Sequence, residues 1–273
     1  MTIVVGADGS VASRAAVDWA ARRADRTGED LALVTIVDDG WGSVGNSVLA
    51  ELRAAAEDLA ARELDAARAV APGAVVGSSV VVGSPILTLA EASRGAGLVV
   101  VGTHKVGYFH GRAMGSRSLQ LAAVAASPTA VVPVTSWRGR SGVAVGVSDG
   151  HDSDDAVRFA AEEASRLGEP LVLLRAVDGD GIDDRALDRA GDIAADAAPE
   201  VPVERRTAAG AASDSLIGIS RRAVLTVTGR RVASRGFLPL GRTNSDVLMN
   251  LAGPVVVSPQ VVVEAYLVGW SVA

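Results

Sequence analysis

The chain has 273 residues, of which 49% are hydrophobic and 21% charged, with a formal net charge of −6. At roughly 150 residues per domain this length predicts two units, and the apolar content excludes a disordered tail protein. The acidic balance argues against nucleic acid as a partner, which needs a basic surplus, and the absence of cysteine removes disulfides, thiolate metal sites and cysteine nucleophiles.

In chain order, the opening MTIVVGADGS lacks the basic leader and long apolar core of an export signal and runs straight into a strand at Ile3–Val5. Short apolar runs then alternate with alanine-rich amphipathic stretches, the pattern of β-α-β units around a parallel sheet buried on both faces. A helix is predicted over Ser13–Asp25, opened by a serine cap and carrying Val17, Ala20, Ala21 and Ala24 at helical spacing. Trp19 falls on its inner face. Strands follow at Leu31–Val37, Val75–Val82, Leu98–Val101 and Ala130–Val134, with a long helix over Val48–Ala69 that stops before Pro72. Further strands are predicted at Val143–Val147, Leu171–Val177, Val203–Ala208, Val224–Thr228 and Val255–Val257. The apolar tail from Val255 to Ala273 is broken by Ser258, Pro259, Gln260 and Glu264, short of the ~20 apolar residues a spanning helix needs. A cytoplasmic protein with no membrane partner is expected. Val261–Val272, with Tyr266 and Trp270, reads as cover for a sheet edge or as a contact with a second chain.

The chain repeats itself. DGSVASRAAVDWAARRA from Asp8 recurs, one residue shorter, as DGHDSDDAVRFAAEEA from Asp149, so Phe159 takes the place of Trp19 and both are expected in the core. Gly83, Leu89, Ser93 and Gly102 recur as Gly210, Leu216, Ser220 and Gly229. Two domains are therefore expected, residues 1–136 and 141–273, joined by Trp137-Arg138-Gly139-Arg140 and packed as an intramolecular pseudo-dimer.

In an open parallel sheet ligands bind beyond the carboxyl ends of the strands. Ala7-Asp8-Gly9-Ser10 follows the first strand there, Asp8 being either a hydrogen-bond acceptor for a ligand or a cap for the next helix. After the fourth strand come Gly102-Thr103-His104-Lys105, nine residues, and Gly115-Ser116-Arg117-Ser118 opening a helix. Glycines, free N–H groups at a helix start and the Ser116 hydroxyl are suited to phosphate, though strand-to-helix turns often contain glycine for purely structural reasons. The only lysine, Lys105, joins His104, His110, Arg112 and Arg117 in that loop, a cationic focus in an acidic chain. Asp38-Asp39 at a strand end has the chemistry to help hold Mg2+ beside phosphates, against the commoner reading of a solvated turn. His104 and His110 lack companions at metal-ligand spacing, and no P-loop, nucleophile elbow or spaced catalytic set is present, so no catalytic residue is assigned.

VVGADGS from Val4, VGSP from Val82 and VVVGTHKVGYFHGRAMGSRSLQLAAVAASPTAVVPV from Val99 together resemble the universal stress protein family, and the duplication resembles its tandem-domain members. The resemblance implies an α/β fold of two Rossmann-like (adenine nucleotide alpha hydrolase-like) five-stranded parallel sheets in tandem repeat, each ordered 3-2-1-4-5. It implies ATP as ligand, between the first and fourth strands, in a stress-response regulatory protein. The family pattern G-x-x-G, nine residues, G-[ST] falls on Gly102, Gly115 and Ser116, with Lys105 in place of the second glycine. By the same resemblance Asp8 meets the adenosine end, Val37 offers its backbone to adenine and Gly83 lies near the ribose. In the second half the loop reads Gly229-Arg230-Arg231-Val232, then Gly241-Arg242-Thr243, and Ala212 replaces Pro85. That half is expected to bind nucleotide poorly or not at all, its arginines at 230, 231, 235 and 242 forming either a solvated basic surface or an anion site. Weak ATP hydrolysis and a nucleotide-free scaffold of the same fold are the alternatives.

Overall fold

Runs such as Ile-Val-Val in the first strand and Leu-Val-Val-Val in the fourth bury side chains on both faces, which only a sheet covered on both sides by helices accommodates. The computed structural model describes residues 1–40, 46–104, 117–136, 138–177, 185–231 and 239–260. Its first half contains β1 (Thr2–Gly6), α1 (Val11–Thr27), β2 (Asp30–Val37), α2 (Asn46–Val70), β3 (Val76–Val82), α3 (Pro85–Ala92), β4 (Leu98–Thr103), α4 (Arg117–Val124) and β5 (Thr129–Pro133). The second half repeats the order with β6 (Val143–Gly146), α5 (Asp154–Leu167), β7 (Leu171–Val177), α6 (Arg185–Ala197), β8 (Val203–Ala209), α7 (Ala212–Ser220), β9 (Leu225–Arg230), α8 (Arg242–Asn250) and β10 (Val255–Pro259). All ten strands predicted from the sequence are present, most shifted by a residue or two at their ends.

Helix α1 starts two residues earlier than its pattern suggests. Ser10, not Ser13, is its cap, accepting from the Ser13 N–H at 3.1 Å, and Gly28 closes it in the left-handed conformation at φ 70°. Gly168 closes α5 in the same way at φ 64°.

The two five-stranded sheets predicted from the repeat do not stand apart. They join in one ten-stranded sheet ordered β3-β2-β1-β4-β5-β10-β9-β6-β7-β8. Within each half every pair is parallel, whereas β5 and β10 meet antiparallel with Val131, Ala130 and Thr129 opposite Val255, Val256 and Val257. The junction removes two exposed strand edges, whose unpaired N–H and C=O groups would otherwise template association. The outer edges are β3 and β8, the latter reading Val-Glu-Arg-Arg-Thr-Ala-Ala and largely exposed, so charge protects it.

Both faces of the sheet carry apolar packing across the junction. On one, the main core runs from Ile3 and Val100 through Ala130 and Val256 to Leu173 and Val227. On the other, Ala122 and Val131 of the first half pack with Val247, Leu248 and Leu251 of the second. Trp19 and Phe159, expected in the core, are only partly buried against it; the helices that carry them, α1 and α5, meet at the seam. Arg140 locks the connecting segment: its guanidinium donates to the carbonyls of Ser136, Ser220, Ala223 and Ala252 and to the Thr135 hydroxyl. No helix among the described residues is long and apolar enough to cross a membrane.

Candidate functional site

At the carboxyl ends of β1 and β4 the chain leaves the sheet on opposite faces and opens a cleft, as strand-order reversal in a parallel sheet requires. The cleft in the first half is a cavity of about 390 Å3. Its walls are apolar on one side, from Val34, Ile36, Ile86 and Leu89, and polar at the rim, from Asp8, Ser10, Asp38, His104 and Arg117. That size and mixture suit a small ligand with a flat apolar part and a polar end.

Asp8 is held by a short relay. Its N–H donates to the Ser13 hydroxyl at 3.0 Å, and one carboxylate oxygen accepts from the Ser10 N–H at 3.0 Å. It forms the turn before α1 without being the cap. The carboxylate stays exposed on the rim, with its other oxygen unpartnered among the described residues. Gly102 has a different reason from the one its loop suggests. A Cβ there would lie 2.7 Å from the Ser13 nitrogen and nearer still to the Ala12 carbonyl, so glycine lets β4 pass against the first turn of α1. The residue also lines the cavity.

Arg117, the first residue of α4, reaches across the mouth to Asp38 at the end of β2, Nη2 to Oδ2 3.0 Å. This couples two residues that the sequence suggests for different tasks, an anion contact and a cation ligand. Among the described residues no group of three or more His, Asp or Glu could hold a metal ion, and Asp38 is engaged by arginine.

Of the site residues expected from the sequence, Ala7, Asp8, Gly102, His104 and Arg117 converge on the cavity. Val37 and Gly83 are joined to each other, the Gly83 N–H donating to the Val37 carbonyl at 3.0 Å, and neither is among the cavity-lining residues. Lys105, Gly115 and Ser116 lie outside the described residues, as do His110, Arg112, Arg235 and the tail from Val261. The apolar wall escaped the sequence reading, although the alternation of Ala32, Val34 and Ile36 along β2 is the signal that marks one face of that strand.

The second half has a matching cavity of about 530 Å3, but its chemistry has drifted. Strand pairing sets the correspondence: Ile3 and Val5 pair with Leu98 and Val100 as Val143 and Val145 pair with Leu225 and Val227. The Ser148 N–H donates to the Ser153 hydroxyl at 3.1 Å, as the Asp8 N–H does to Ser13. Ser148 therefore occupies the place of Asp8. The aspartate that the repeat aligns there, Asp149, lies one residue on, and its carboxylate is taken by Arg175 at 2.5 Å.

The loop arginines of this half also differ from a plain solvated surface. Arg230 is buried and donates to the Ala125 carbonyl of the first half at 2.6 Å, and burial pulls its pKa below the usual arginine range. Arg231 and Arg242 are exposed and face Asp152 and Asp246, each at 3.7 Å.

A tandem parallel α/β protein with a cleft at the carboxyl strand ends is the class these features define. Residues 1–133 match the Universal stress protein family model. Universal stress protein Rv1996 of Mycobacterium tuberculosis is 30% identical over 196 residues, covering 64% of this chain and 62% of that protein, so the chain spans less than two thirds of that relative. Universal stress protein Rv2005c of the same organism is 29% identical over 290 aligned positions, covering 94% of this chain and 97% of that one. The crystal structure of a universal stress protein from Archaeoglobus fulgidus superposes with a TM-score of 0.78 over 95% of this chain and 96% of that one; at 16% identity the likeness concerns the fold. The first unit, residues 1–133, carries the universal stress protein family match, and the chain as a whole, with its two tandem units, is similar to universal stress proteins.

Proposed function

We propose that the first-half cavity binds an adenine nucleotide, ATP foremost and with Mg2+ as its companion ion, and that the loaded chain acts as a stress-response regulator through its partners. One observation carries this reading: the cavity at the β1 and β4 ends is lined both by Asp8, whose second carboxylate oxygen has no partner among the described residues, and by the apolar Val34, Ile36, Ile86 and Leu89. The wall suits a purine face, Asp8 suits the hydroxyl or amino donors of a nucleoside, and the start of α4 with Arg117 and His104 suits phosphate. Arg117 would exchange Asp38 for a phosphate oxygen, since a doubly charged group competes well for a guanidinium. The second half, with Ser148 in place of Asp8 and Asp149 spent on Arg175, is read as a fused partner that does not take ATP. The binding unit is then residues 1–136 and the partner unit 141–273.

Calorimetric titration with Mg-ATP tests the reading. Saturable heat with a stoichiometry near one per chain is expected, and Asp8→Ala should weaken binding by roughly tenfold or more, the worth of one charged hydrogen bond. No saturable heat at millimolar nucleotide would leave the nucleotide-free scaffold as the reading.

A further inference from the structure

The two copies of the first helix differ in a way the ligand site does not use. Trp19-Ala20-Ala21-Arg22-Arg23-Ala24 in α1 recurs in α5 as Phe159-Ala160-Ala161-Glu162-Glu163-Ala164, each followed by its closing glycine, Gly28 or Gly168. These helices meet at the seam. The sheet junction beneath them is centred on Ala130 opposite Val256, which are equivalent positions of the two repeats, so the halves are related by an approximate two-fold axis. Near such an axis a residue meets its own equivalent. Arg23 meets Glu163, Nη2 to Oε1 2.7 Å, with side chains 4% and 1% exposed.

We infer that this seam is coded for unlike halves: the α1 face and β5 edge of a first half fit the α5 face and β10 edge of a second half, and reject a second copy of themselves. Two first halves would set guanidinium against guanidinium, donors facing donors, and two second halves would set carboxylate against carboxylate. Local partners do not cure this. Glu29 takes the Nη1 side of Arg23 and leaves Nη2 pointing at the axis, while Arg166 donates at 2.8 Å to the same Glu163 Oε1 that accepts from Arg23, so the carboxylate still faces the axis. A second contact has the same one-way character. Arg230 of the second half reaches the Ala125 carbonyl of the first, whereas the equivalent residue of the first half is Thr103, too short to return the bond.

Nor is the pair explained as a source of stability. Burial pushes the Glu163 carboxyl above the usual carboxylate range in spite of Arg23 and Arg166, so desolvation outweighs the attraction. Arg23 Nε and Glu163 Oε2 are also buried without partners among the described residues. An apolar pair would hold the helices together at least as well; what it would lose is discrimination. Two chains that associate therefore do so through another surface, or by exchanging unlike halves.

Full-length variants test the code, because single charge reversals install the forbidden contacts within one chain. Glu163→Arg creates the arginine-on-arginine contact of two first halves, and Arg23→Glu the carboxylate contact of two second halves. Each should melt roughly 6–12 °C below the parent, and the double reversal should melt above both singles, held below the parent by the like charges it sets beside Glu29 and Arg166. The Arg23→Met/Glu163→Met chain, which also leaves Glu29 without the Arg23 guanidinium, should lose less than the two single losses summed. If a reversal does not fold, the cycle of Arg23→Met, Glu163→Met and their double replaces it, with the double expected to melt above both singles. Reversals that melt with the parent, a double reversal no better than the singles, or methionine losses that simply add would each overturn the inference.

Discussion

Replacing Gly102 by alanine probes the link between the sheet and the site most directly. The added methyl group would sit 2.7 Å from the Ser13 nitrogen and closer still to the Ala12 carbonyl, where real Cβ contacts under 3.0 Å essentially do not occur. Both obstacles are backbone, so no rotamer change relieves them. The first turn of α1 must move off β4, against Ala12 and Ala16, which are buried beneath it. Overpacking of this kind costs about 3 kcal/mol, which in a chain of this size lowers the melting temperature by roughly 6–12 °C. Two other glycines calibrate the result. At Gly229, the second-half counterpart, a Cβ would lie 2.6 Å from the Asp152 carbonyl oxygen, and about 1–2 kcal/mol is expected. At Gly77 on the edge strand β3 nothing lies within 4 Å, and the change should stay within about 0.5 kcal/mol. Thermal melts should rank the three in that order. Hydrogen exchange at the Asp8 amide, held by Ser13, should quicken in Gly102→Ala alone. A Gly102→Ala chain that melts with the parent would refute the reasoning, because helix and strand would then have room to spare.

Ser10→Ala removes the hydroxyl that caps α1 but keeps the backbone N–H that Asp8 accepts from, and should cost about 1 kcal/mol in denaturant unfolding. Arg140→Lys keeps the charge but cannot serve five acceptors; the carbonyls of Ser220 and Ala252 lose their donor, and about 2 kcal/mol should be lost from the melt. Glu163 should also mark the pH profile. Its native state holds the proton more tightly than the unfolded chain, so its contribution is fully present below the unfolded carboxylate value of about 4.3 and is lost as pH rises through the folded value. Relative to Glu163→Gln, the parent should therefore lose stability as pH rises above about 4.3, and a parallel profile would contradict the assigned burial.

Periodicity and repetition were enough to read the duplication, the ten strands and the cleft at the strand ends, because each rests on near neighbours in the chain. Alternating apolar runs bury on two faces wherever they fold, and DGS before an amphipathic stretch makes a turn and a cap from local hydrogen bonds alone. The strand-end positions of Asp8, Gly102, His104 and Arg117, which line the cavity, were legible on that basis. Contacts between distant segments were not legible. The register of β6 against β9 put Ser148, and not Asp149, in the place of Asp8, since a single-residue shift moves every side chain to the opposite face of the strand. Pairing of Arg117 with Asp38 and burial of Arg230 against Ala125 join residues far apart in sequence, and composition carries no record of such pairs. The fused sheet belongs with them. Sequence by itself determined that the chain is written twice and that Arg22-Arg23 answers Glu162-Glu163; only the antiparallel union of β5 with β10 brought Arg23 onto Glu163, because two equivalent surfaces touch only where an axis of symmetry passes between them.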